Sequence, residues 1–130
     1  MTFSYRALSI PVGAVVAKAR FHLKRENPET VADRMAEYLR MRLEKQPLGM
    51  PSGGSVFKNP AGDYAGRLIE SVGLKGKQIG GAMISPKHAN FIVNTGGARG
   101  DDILALMDLV RKTVKEQTGI GLEPEIRVVN

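Results

Sequence analysis

Fourteen residues in the middle of the chain, Pro47-Leu-Gly-Met-Pro-Ser-Gly-Gly-Ser-Val-Phe-Lys-Asn-Pro60, govern what can lie on either side of them. Three prolines and three glycines in that span exclude a helix across it, because proline lacks the amide donor and its ring clashes with the preceding turn. A helix upstream must therefore stop before Pro47. The stretch is no plain linker, since it encloses the apolar pair Val56-Phe57 and a linker would be more polar. Gly53-Gly54 frees the backbone to approach a neighbour closely or to adopt positive φ, and Ser55 follows at once. On composition alone the stretch reads as a turn leading into a short strand.

Upstream, residues 2–24 read as extended. Ala17, Ala19, Phe21 and Leu23 alternate with Lys18, Arg20, His22 and Lys24, the period of a half-buried strand with one basic face and an exposed His22. Asn27-Pro28-Glu29 is a helix start: Asn caps, Pro takes the first position and Glu complements the dipole. Val31, Met35, Tyr38, Leu39 and Leu43 recur at helical spacing, which predicts a helix over 28–45. Arg42 and Lys45 sit at its end, where the chain enters the loop.

Downstream, residues 63–72 predict a short helix closed by Gly73. Residues 78–85 and 91–94 predict two strands. Asp101 or Asp102 is expected to cap a helix running to about 117, and 122–129 to form a last strand with Leu122, Ile126 and Val128 on one side. Gly80-Gly81 is expected to serve close packing. The glycines do not form a phosphate loop, because no Gly-x-Gly-x-x-Gly joins a strand to a helix and no Gly-Lys-Ser/Thr occurs. The order of elements gives an α+β fold of the α/β sandwich type, a small mainly antiparallel sheet packed with about three helices.

A length of 130 residues fits one compact domain. With no Cys, a disulfide framework, a thiol nucleophile and a thiolate-ligated metal are excluded. His22 and His88 alone build no ordinary zinc site, so no metal is expected. No apolar run approaches the ~20 residues of a membrane span and no signal-peptide pattern opens the chain, so a cytoplasmic location and no membrane partner are expected. The net charge is +6, and residues 1–60 hold ten Lys/Arg against five Asp/Glu. That asymmetry suits an anionic partner, a phosphorylated small molecule or nucleic acid, or a merely solvated basic face. With three Tyr, four Phe and no Trp, and acidic neighbours beside most basic residues, the chain lacks the aromatic platforms of a nucleic-acid binder.

Seven segments in register carry more. Around the loop Gly53-Gly-Ser-Val-Phe-Lys-Asn-Pro60 stand Arg42-x-x-Lys45-Gln-Pro47, Ala65-Gly-Arg-Leu-Ile69, Gly73-Leu-Lys-Gly76, Ile79-Gly-Gly-Ala82, His88-Ala-Asn-Phe-Ile-Val-Asn94 and Leu122-Glu-Pro-Glu-Ile-Arg127. In that order and spacing the chain resembles the UDP-N-acetylenolpyruvoylglucosamine reductases over nearly its whole length. Tyr5-Arg6 resembles the family's Tyr-Arg-x-Ser segment, although Ser9 stands three after Arg6 instead of two. Leu23 is followed almost directly by Asn27-Pro28, as in the shorter form of the family.

The resemblance implies a protein whose residues 1–24 are the tail of an upstream FAD-binding portion and whose residues 25–130 are the C-terminal substrate-binding domain. It implies FAD and NADPH as cofactors of the complete enzyme, UDP-N-acetylglucosamine enolpyruvate as substrate, and UDP-N-acetylmuramate as product. An FAD-binding half is then a separate or missing partner, and this chain alone is expected to be inactive and colourless. Ser55 is implied as proton donor, with Arg6 and Glu125 stabilising the enolate. Lys45, Asn59, Arg42, His88 and Tyr5 are implied as substrate contacts. The alternative reading is a redox-inactive remnant that only binds a UDP-sugar.

Overall fold

The computed structural model describes residues 2–5 and 7–129. By compactness the chain divides into two units, Met1–Asp33 and Arg34–Asn130. In the first, Thr2–Ser4 (β1) and Ala7–Ser9 (β2) form an antiparallel hairpin that pairs Thr2 with Ser9 and Phe3 with Leu8. The strand expected over 17–24 does not form, and Phe21 and Leu23 are 79% and 85% exposed. An alternating pattern becomes a strand only through ladder bonds to a neighbour, and these residues have none.

The helix Pro28–Lys45 (α1) has the expected bounds and runs across the division between the units. Asn27 Oδ1 accepts the Glu29 amide at 2.8 Å, satisfying a donor of the first turn. At the other end the Gln46 amide reaches the Arg42 carbonyl at 2.9 Å, and Pro47 stops the ladder. None of the helix's residues is buried, including the apolar set that predicted it.

The second unit continues with Ser52–Ser55 (β3), Ala65–Ser71 (α2), Gln78–Ile79 (β4), Ala82–Ile84 (β5), Phe91–Asn94 (β6) and Gly100–Thr118 (α3). The sheet order is β3-β6-β5-β4 and every pairing is antiparallel. The single strand expected over 78–85 is two strands joined at Gly80-Gly81. A Cβ on Gly81 would lie 2.5 Å from both the Ala98 nitrogen and the Gly96 oxygen, so only glycine lets the hairpin press against the 96–98 loop. Asp102 ties the same turn to α3, accepting the Gly81 amide at 3.2 Å and the Arg99 amide at 2.9 Å. These backbone donors hold its carboxyl below the usual range. The helix thus starts at Gly100, with Arg99 as the capping position and Asp102 in the first turn.

Ala82, Ile84 and Ile92 of the sheet pack with Ala65, Leu68 and Ile69 of α2 and with Leu106, Met107, Val110 and Val114 of α3. Val56 and Phe57 join this core at 3% and 1% exposure, so the apolar pair of the central loop fastens it to the fold. The last strand expected over 122–129 shrinks to a single bridge between Phe57 and Pro124. The bonds on either side of Pro124, the Lys58 amide to the Glu123 carbonyl and the Glu125 amide to the Val56 carbonyl, complete this one bridge, and residues 126–129 find no further strand to pair with among the described residues. Leu122 is buried, Ile126 is half-buried and Val128 is 57% exposed. The fold is α+β: a small antiparallel sheet with, among the described residues, three helices.

Candidate functional site

The central loop enters the sheet through a bulge. β3 pairs Ser52 with Val93 and Ser55 with Phe91, three steps on one strand against two on the other. The extra residue falls at Gly53-Gly54, where Gly54 takes φ 82°, a conformation glycine adopts without a Cβ penalty. Without the extra residue, Ser52 and Ser55 would face opposite sides of the strand. The bulge puts both opposite residues that share one face of β6.

That face borders a cleft of about 500 Å³ lined by Arg42, Gln46, Met50, Ser52, Ser55 and Phe91, among others. Ser55 is half-buried and Arg42 exposed. Arg42 Nε donates to Gln46 Oε1 at 3.0 Å, which steadies the guanidinium at the exit of α1. A cation, two hydroxyls and an amide around one open volume suit an anionic ligand.

Val56, the residue after Ser55, is bonded through both its amide and its carbonyl. The Val56 amide donates to the Asn90 carbonyl at 2.9 Å, and the Val56 carbonyl accepts the Glu125 amide at 2.8 Å. Lys58 donates its amide to the Glu123 carbonyl at 2.9 Å and pairs its ammonium with the Glu123 carboxylate. The main chain of Glu125 is thereby fixed one residue from Ser55, and Glu125 itself is half-buried.

The other residues singled out from the sequence fall as follows. Lys45 is exposed at the end of α1 and does not line the cleft. Asn59 is half-buried, and its Oδ1 accepts the Ala65 amide at 3.1 Å, capping α2 from outside the helix. His88 is half-buried; its Nδ1 accepts the Asn90 amide at 3.2 Å and its ring meets Phe91 edge-on at 4.8 Å. Burial pushes its pKa down, which agrees with an imidazole whose Nδ1 is an acceptor. Tyr5 is 62% exposed in the first unit, and Arg6 lies outside the described residues. The fold therefore brings Ser55 and Arg42 to one cleft and the Glu125 backbone beside it, with His88 one aromatic ring away.

Sequence reasoning passed over Gln46, Ser52, Phe91 and Asn90. All four lie in the central stretch or the family-like segments, but only Asn90, a polar residue amid Ala89, Phe91, Ile92 and Val93, carried a readable signal. The place of Phe91 and Ser52 beside Ser55 left no signal, because only the bulge and the β3–β6 register bring them there.

Comparison with known proteins matches the same region. The family model described as "UDP-N-acetylenolpyruvoylglucosamine reductase, C-terminal domain" fits residues 46–129. A UDP-N-acetylenolpyruvoylglucosamine reductase of Thermotoga sp. is 54% identical over 115 residues, 88% of this chain and 38% of the relative. One of Syntrophotalea carbinolica is 44% identical over 129 residues, 99% of this chain and 43% of the relative. The crystal structure of the Thermus caldophilus enzyme superposes with a TM-score of 0.64 at 45% identity, covering 83% of this chain and 38% of that one. The chain thus spans about two fifths of the length of these relatives, 38% and 43%. With a family model over most of its length and relatives this similar, the chain belongs to the UDP-N-acetylenolpyruvoylglucosamine reductase family, whose C-terminal domain it carries.

Proposed function

We propose that this chain is the substrate-handling part of a cytoplasmic FAD- and NADPH-dependent reductase that converts UDP-N-acetylenolpyruvoylglucosamine to UDP-N-acetylmuramate for peptidoglycan synthesis. Residues 25–130 form its substrate domain, and residues 1–24 are the tail of its FAD-binding portion. The observation that carries this reading is the setting of Ser55: a half-buried hydroxyl on a glycine bulge, beside Arg42 in one cleft and one peptide from the pinned Glu125.

The reaction adds hydrogen across the enolpyruvyl double bond. Once the terminal methylene carbon is reduced, the neighbouring carbon needs a proton, and negative charge spreads into the attached carboxylate. Ser55 Oγ gives that proton and is recharged from water. A serine hydroxyl is a weak acid, so the step depends on holding it against the carbon and on stabilising the enolate. Arg6 forks onto the carboxylate. Glu125 acts protonated, or through an arginine or water, since a bare carboxylate would repel the enolate. Arg42 and Lys45 meet the diphosphate at the end of α1, with Asn59, His88 and Tyr5 as further contacts.

FAD and NADPH belong to the complete enzyme in this reading and supply its reducing equivalents. The described residues do not fit a dinucleotide cradle: the strands pair antiparallel throughout, and the turn from β6 into α3, Gly96-Gly-Ala-Arg-Gly100, lacks the Gly-x-Gly-x-x-Gly spacing. No residue of the second unit is assigned to holding either cofactor.

The test is a chimera joining this chain to the amino-terminal part of the Thermus caldophilus relative. Ser55→Ala is expected to lower its turnover by roughly 10²–10⁴-fold, and Ser55→Cys to retain more activity than Ala, having a proton to give from nearly the same place. A Ser55→Ala chimera as active as the unsubstituted one would overturn the proposal.

A further inference from the structure

Asn90 is 3% exposed, a polar side chain inside an apolar run, and it is spent entirely on one residue of the central loop. Its Oδ1 accepts the Phe57 amide at 3.0 Å, and its Nδ2 donates to the Phe57 carbonyl at 2.8 Å. Its own carbonyl accepts the Val56 amide at 2.9 Å. The β3–β6 ladder ends at the Ser55–Phe91 pair, because the chain before Phe91 turns away through residues 86–90. Asn90 carries the pairing past that end, first with its main chain and then with a side-chain amide that copies a peptide.

We infer that Asn90 is the positioning residue that sets Ser55 and Glu125 in register. This inference rests on the function proposed above. The opposite edge of the same peptides is where the Val56 carbonyl takes the Glu125 amide and the Lys58 amide takes the Glu123 carbonyl. Residues 56–58 are therefore held between Asn90 on one edge and 123–125 on the other. The segment 123–125 makes only one bridge, so it depends on 56–58 being fixed. Ser55 enters from a bulge made flexible by Gly53-Gly54, and its position is fixed from its carboxyl side, where Asn90 acts. Only an amide of this length offers an acceptor and a donor on separate atoms spaced to meet both groups of Phe57. Aspartate has no donor, leucine has neither group, and glutamine is one methylene too long. His88 completes the arrangement by accepting the Asn90 amide on Nδ1.

The test follows amide hydrogen exchange across the full chain by NMR in Asn90→Ala and in the milder Asn90→Ser, whose hydroxyl reaches at most one Phe57 group. The control is Val110→Ala on α3, matched in overall stability. A positioning role predicts that the Val56, Phe57, Lys58 and Glu125 amides exchange at least about tenfold faster in the Asn90 variants than in the control, while β5 and β6 amides exchange alike. A merely structural Asn90 would speed all of them equally, and that result would overturn the inference. In the chimera, Asn90→Ser should lower kcat about tenfold and leave KM within about twofold; a loss confined to KM would also overturn it. If the exchange pattern appears but Ser55→Ala leaves turnover intact, the clamp stands and its catalytic purpose fails. Uniform exchange alongside an inactive Ser55→Ala refutes the clamp alone.

Discussion

Helices α1 and α3 have nearly the same length, 18 and 19 residues, and apolar positions at the same spacing, yet they end in opposite states. In α3, Leu106, Met107, Val110 and Val114 are between 0% and 5% exposed. In α1, Met35, Tyr38, Leu39 and Leu43 are between 50% and 67% exposed, and no residue is buried. The difference is what each stripe meets: α3 lies on β4 and β5 and shares a core with α2. An amphipathic pattern shows which face needs cover, and tertiary neighbours decide whether cover arrives. The segment over 17–24 repeats the lesson for strands.

The largest effects separate the two helices. Leu106→Ala removes a wholly buried side chain and should cost about 2–5 kcal/mol. Leu39→Ala in α1 should stay within about 0.5 kcal/mol, as surface substitutions do. Urea unfolding of both variants checks the contrast, and equal losses would show that α1 is covered in solution.

Glycines offer the same contrast on a smaller scale. Gly81→Ala should destabilise by about 1–3 kcal/mol, because the new methyl lies 2.5 Å from two backbone atoms. Gly49→Ala, with nothing within 4 Å of its Cβ, should leave the unfolding midpoint nearly unchanged.

What was legible in the sequence follows this division. The bounds of α1, with Asn27 as cap and Pro47 as stop, were written in local chemistry, as were α2, β6 and most of α3. The split of 78–85 was not, because it depends on the 96–98 loop meeting Gly81. The end of the chain was misjudged because Glu123, Glu125 and Arg127 alternate well, while among the described residues the segment finds a ladder partner only at Phe57. At the site, Ser55 was legible from its glycine loop and the family pattern. Its neighbours Ser52 and Phe91 were not, since a one-residue bulge sets which of them share a face.

Binding sharpens the comparison from the other side. Arg42→Ala should barely change stability but weaken binding of UDP-N-acetylglucosamine by about tenfold, the usual loss for one charge-assisted hydrogen bond. Calorimetry on the chain measures it, and unchanged affinity would take the end of α1 out of the site.

The smallest effects are titrations. Arg67 holds the Asp63 carboxyl down to about 2, chiefly by hydrogen bonding, with help from the Tyr64 amide. A lowered carboxyl pKa contributes stability that is complete above the unfolded value near 3.8 and is lost as pH falls towards 2. Burial lowers the pKa of His88, so the unfolded chain binds that proton more readily and stability falls as pH drops below about 6.5. NMR titration of both side chains should show midpoints below the ordinary carboxyl and imidazole values. Arg67→Ala should return Asp63 towards the ordinary one.

The proton assigned to Ser55 is tested most directly by following the two half-reactions of the chimera separately in stopped flow. Ser55→Ala is expected to leave reduction of the enzyme by NADPH within about twofold, because that step puts no proton on the substrate. Formation of product by the pre-reduced enzyme is expected to slow by roughly 10²–10⁴-fold. Equal slowing of both half-reactions, or of neither, would contradict the account and leave the Gly-Gly-Ser bulge as a turn that only shapes the cleft.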